Sequence, residues 1–139
     1  MKTPKFWLAV LVAGVVGNVL DEIVQVRLLF GPYYAKMESM RTDAQHYNFI
    51  IGDFVAILVL AWVMDRVASA FPRGVKGGAA AGFYLGVLAA FPTFHFIFLS
   101  FKGYPYSLAW INTIYTIVWY VIAGAVLAAV MKKGEPAAA

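Results

Sequence analysis

The sequence predicts an all-α fold, an integral membrane four-helix bundle with both termini on the same side. Three observations carry that reading. Hydrophobic residues make up 63% of the 139-residue chain and charged residues only 13%, against about 25% charged in a soluble domain. That leaves too little polar material to cover a water-facing surface, which excludes a disordered segment and an ordinary soluble enzyme. The charges are also spaced to leave long uncharged runs, 25 residues over 77–101 and 29 over 103–131. Each exceeds the roughly 20 residues that a spanning helix needs. Finally, Gly31-Pro32, Phe71-Pro72-Arg73-Gly74 and Tyr104-Pro105-Tyr106 punctuate the apolar stretches as turns. The whole of 1–139 reads as a single transmembrane domain.

The first span is expected over about 6–30. The uncharged stretch from Phe6 to Leu20 has only 15 residues. At helical rise that is about 22 Å, short of the roughly 30 Å hydrocarbon layer. Continuation through Asp21, Glu22 and Arg27 is favoured because Ile23-Val24, Val26 and Leu28-Leu29-Phe30 stay apolar and the helix-breaking pair follows. Lys2, Lys5 and the apolar stretch fit the start of a signal peptide, but no small-residue cleavage motif follows, so an uncleaved first helix is expected. The second span, about 44–70, carries one charge, Asp53, before Asp65. The third covers about 76–100 and the fourth about 106–131.

Seven basic residues (Lys2, Lys5, Arg66, Arg73, Lys76, Lys132, Lys133) fall on the side of the termini and four (Arg27, Lys36, Arg41, Lys102) on the other. The positive-inside rule then puts both termini in the cytoplasm, with a bacterial inner membrane as the expected location. The net charge of +4 comes from these flanking residues and gives no basic patch for nucleic acid. Cysteine is absent, which excludes disulfides, thiolate metal sites and cysteine nucleophiles. Trp7, Trp62, Tyr104, Tyr106 and Trp110 lie near span ends, where amphipathic rings favour the headgroup level.

Lipid tails are as apolar as leucine, so the helices must associate through close approach and interhelical hydrogen bonds. Gly78, Gly82, Gly86 and Ala90 make a smooth stripe at four-residue spacing on the third span. An internal contact is favoured for it; a homo-oligomer or membrane partner is the alternative. Pro92 should kink that helix.

The informative residues are the polar ones that hydrocarbon disfavours. Asn18, Asp21, Glu22 and Gln25 follow at i, i+3, i+4 and i+7 and are expected to share one helix face. His46 and Asp53 share a face of the second span; Thr93 and His95 come from the third, and Asn112, Thr113 and Tyr115 from the fourth. Helical rise puts Glu22 and Asp53 each about 12–13 Å below the side opposite the termini. All four spans thus bring unusual polar groups to one half of the membrane. An ionised carboxylate at mid-span costs about 2.5–3.5 kcal/mol on insertion scales. Asp21, Glu22 and Asp53 should therefore face the bundle interior or water, with Arg27 expected beside Asp21 or Glu22 and His95 beside Asp53. Full charging of clustered carboxylates is unfavourable, so one of the three is expected to hold a proton.

Specific reaction chemistry is not written in the sequence. Asp21, Glu22, Asp53, His46 and His95 have the atoms for a divalent metal but not a recognised ligand spacing. The few serines lack a nucleophile-elbow context, and Gly77-Gly78 opens a helix rather than a phosphate loop. No cofactor is specified.

Leu29-Phe30-Gly31-Pro32-Tyr33-Tyr34-Ala35-Lys36, followed later by Ile97-Phe98, Leu108-Ala109-Trp110-Ile111-Asn112 and Gly124-Ala125-Val126-Leu127, resembles a family of small bacterial four-helix membrane proteins of unknown function, the DUF1761 type. That family usually has an aromatic pair where this chain has Gln25-Val26-Arg27. The resemblance implies a fold and a membrane location but no activity. Two functional classes follow from the residues. In the first, Asp53, Asp21, Glu22, His95, Asn18 and Asn112 bind or conduct a proton, a cation or a small polar ligand. In the second, an accessory subunit docks through its Gly-rich helix and the polar residues are structural. An enzyme ranks third.

Overall fold

The computed structural model describes residues 3–38, 46–72 and 74–131, the side chains of His46 and Ala68 excepted. Among these residues the chain is helical, without strands, and four helices are long and apolar enough to cross a membrane. They are α1 (Pro4–Asp21), continued by a π-helical stretch (Glu22–Leu29), then α2 (His46–Val67), α3 (Val75–Ser100) and α4 (Tyr106–Met131). Short 3-10 turns follow α1 at Tyr34–Lys36 and α2 at Ala68–Ala70. Residues 44 and 45 of the expected second span lie outside the described residues.

The first span does continue past Leu20. Its start is set by Thr3, whose hydroxyl accepts from Phe6 N at 3.4 Å, and by Pro4 in the first turn, where its missing N–H costs nothing. Its end is unusual. The backbone switches from i→i+4 to i→i+5 bonding just after Asp21 and keeps that register for eight residues. Such stretches normally occupy a single turn and concentrate at functional sites. The third span is one helix running through Pro92. Gly103, at φ 86°, turns the chain between α3 and α4 in the left-handed region that favours glycine.

Helix α4 lies between α1 and α3, and α2 packs chiefly on α1. The α3–α4 contact is built on the small-residue stripe. A Cβ added at Gly78 would fall on the carbonyl oxygen of Gly124, and one at Gly82 on that of Tyr120; at Gly86 it would crowd Ile117 Cα at 3.0 Å. Ala90 continues the stripe and is buried. The stripe is therefore occupied within the chain. On the other side of α4, Ala9, Ala13 and Gly17 let α1 approach closely, and Trp119 Nε1 donates to Gly17 O at 3.1 Å. Hydrogen bonds between membrane helices average only about 0.6 kcal/mol, so close packing holds most of this contact.

Two apolar clusters result. The proximal one joins all four helices through residues such as Phe6, Ala13, Ile57, Leu60, Trp119 and Leu127. The distal one, built on Leu29, Tyr104, Leu108 and Ala109 with Tyr34 and Phe98 against them, contains no α2 side chain among the described residues. The distal half of α2 correspondingly exposes Tyr47, Phe49, Ile50, Ile51 and Val55. Asp53 sits where α2 leaves the packed core.

Candidate functional site

Asp21 closes the regular part of α1 and is half-buried at the change to π register. The Tyr115 hydroxyl of α4 donates to Asp21 Oδ1 at 2.5 Å. From α2, Asp53, also half-buried, lies near Asp21. Three helices thus converge on a carboxyl pair with one phenol donating to it.

Toward the distal end, a second polar group closes into a ring. Tyr34 Oη donates to Gln25 Oε1 at 2.7 Å, Gln25 Nε2 donates to Asn112 Oδ1 at 3.2 Å, and Asn112 Nδ2 donates back to Tyr34 Oη at 2.9 Å. The other amide hydrogen of Asn112 goes to Tyr104 Oη at 2.8 Å. Asn112 is only 1% exposed, so every one of these bonds answers an otherwise costly buried polar atom. Burial pushes the Tyr34 phenol from 10.0 up to about 12, the Asn112 bond opposing the rise and the Tyr104 and Asp21 neighbours adding to it. Burial also raises Tyr104, again opposed by its bond to Asn112. The ring pins the segment after α1 and the segment before α4 to α4 itself.

The face expected to hold Asn18, Asp21, Glu22 and Gln25 together is split. Asp21 and Gln25 turn to the polar centre. Asn18 is half-buried and spends its amide on Gly14 O at 2.9 Å. Glu22 is exposed and meets Arg27 at 3.4 Å. In an α-helix, residues five apart stand about 140° apart around the axis; i→i+5 bonding stacks them instead. The π register thus brings Arg27 beside Glu22, while Glu22 itself, still bonded in α register to Asn18 O, is exposed.

His95 is not the partner of Asp53. Its Nδ1 lies 2.9 Å from Phe91 O, and since a carbonyl only accepts, Nδ1 carries the proton. The ring stacks on Phe91 at 4.5 Å and meets Trp110 edge-on at 4.8 Å, while Nε2 is buried without a partner among the described residues. Thr93 and Thr113 bond back to their own helices at Ala89 O and Ala109 O. The His46 side chain lies outside the described residues. No three His, Cys, Asp or Glu converge among the described residues, so the divalent-metal arrangement is not assembled there.

The residues that sequence reasoning missed are Tyr34 and Tyr104. Tyr104 reads as an ordinary interfacial aromatic, and Tyr34 follows a Gly-Pro turn with no periodic signal to mark its inward course. Comparison of the chain with protein-family models, with curated proteins and with solved structures finds no match.

Proposed function

We propose that this is a small multi-pass membrane protein whose Asp21–Asp53 pair binds a proton within the hydrocarbon layer. One observation carries the reading: two half-buried carboxyls from different helices come together beside a phenol that donates to one of them. A hydrogen bond between two carboxyls forms only when one keeps its proton and donates it to the other. Two ionised carboxylates side by side in a low-dielectric layer repel strongly. A shared proton removes both the repulsion and half of the charge-burial cost. A proton also fits better than a divalent ion, because no third acidic or imidazole ligand joins the pair among the described residues.

The distribution of basic residues supports cytoplasmic termini in a bacterial inner membrane. The resemblance to DUF1761-type membrane proteins supports the location and adds no activity. An accessory role through the Gly-rich stripe loses its surface, since that stripe is filled by α4. A homo-oligomer or membrane partner would have to use another face.

The test is proton release by the full chain in lipid vesicles after an alkaline jump, read with a pH indicator. The wild-type protein should release about one proton per chain more than Asp53→Asn. Equal release from the two folded proteins overturns the proposal.

A further inference from the structure

Between α1 and the distal half of α2 lies an open groove of about 510 Å³, within the range of about 300–1,000 Å³ usual for small-ligand sites. Its walls are Val15, Val19, Ile23 and Ile50, with Phe54 between the two helices. The Phe54 ring fills the space that a side chain at Gly14 would take, so that end of the groove is closed by a fixed aromatic ring. The groove also takes in the Glu22–Arg27 pair, whose side chains are 50% and 71% exposed. Neither Asp21 nor Asp53 lines it.

The pair defines what fits. Arg27 offers five N–H donors, of which only Nε has a partner among the described residues, and Glu22 Oε2 has none. In a membrane, an ion pair on a helix surface is stabilised by neighbours that complement both charges. A long apolar wall beside adjacent positive and negative side chains calls for a ligand with an apolar chain and a headgroup of opposite, adjacent charges.

We propose that this groove binds one phospholipid whose headgroup carries a phosphate and a primary ammonium. The acyl chain lies along Val15, Val19, Ile23 and Ile50, the phosphate meets the Arg27 guanidinium, and the ammonium donates to Glu22. A glycerol headgroup leaves the Glu22 charge unanswered beside the lipid phosphate. A quaternary ammonium matches the charge but has no hydrogen to donate. The site is independent of the carboxyl pair.

The experiment is native mass spectrometry of the full chain released from bilayers with equal amounts of ethanolamine, choline and glycerol phospholipids. One ethanolamine phospholipid should be retained about tenfold over the other two, the worth of one charge-assisted hydrogen bond. Arg27→Gln and Glu22→Gln, both at exposed side chains, should abolish that preference with the helix content unchanged. Val19→Trp should lower retention by filling the groove without touching either charge, and Asp53→Asn should leave retention as in wild type. Equal retention of the three lipids, a preference for the glycerol or choline headgroup, or an unaltered preference in the Glu22→Gln/Arg27→Gln double variant overturns the proposal.

Discussion

Asn112 shows most clearly how single polar residues work in this chain. Its amide ties Gln25, Tyr34 and Tyr104 together from a position that is almost fully buried. Asn112→Leu removes one group and leaves three polar atoms short of a partner. It is expected to destabilise the protein by about 1–3 kcal/mol, measured as unfolding in mixed detergent micelles. The phenol of the same ring sets an alkaline limit. Tyr34 is raised to about 12 from 10.0, so the folded chain holds more protons than the unfolded one between those values. Stability from this group is complete below about pH 10 and falls as pH rises toward 12. Tyr34→Phe should flatten that fall in an alkaline unfolding series; a fall of equal size in the variant would show that another group causes it. Part of this chemistry was legible in the sequence. Asp21, Asp53 and Asn112 are conspicuous because hydrocarbon penalises them, and two of the three meet. His95 looked equally conspicuous, yet its Nδ1 is satisfied by its own helix and its ring by Phe91 and Trp110.

Among the elements, the end of α1 is where sequence reasoning fails, and the reason is geometric. A face drawn at 100° per residue assumes that the α register persists. From Glu22 to Leu29 it does not, so Arg27 comes beside the exposed Glu22 and pairs with it. No local residue signal announces a π register; Ile23, Val24 and Val26 suit either helix. The α3 stripe was legible because close approach demands small residues whatever the partner. The two kinds of glycine can be separated by experiment. Gly82→Ala puts a methyl on the Tyr120 carbonyl and should lower thermal stability in detergent sharply. Gly52→Ala meets nothing within 4 Å and should raise stability by up to about 1 kcal/mol through helix propensity. Equal responses of the two variants would contradict the packing described.

At the scale of the whole molecule, the four spans were readable because hydrophobic length is a direct physical requirement of the bilayer. How they pack was not readable, since α2 leaves the others in its distal half and the centre lies at that departure. The sidedness proposed from the basic residues can be tested on single-cysteine variants, because the chain has no cysteine of its own. Thr3→Cys and Ala70→Cys should react with an impermeant maleimide only after the membrane is opened, and Gly31→Cys and Lys102→Cys in intact spheroplasts. The reverse labelling would invert the topology while leaving the carboxyl pair in place.

The pair itself is tested most directly by infrared spectroscopy of the chain in lipid near neutral pH, where a protonated carboxyl has its own C=O stretch. The account predicts that band in the wild-type protein and its loss in Asp53→Asn, whose side-chain amide has no carboxyl proton. A wild-type spectrum without a protonated carboxyl, or a band that survives unchanged in Asp53→Asn, would contradict the shared proton.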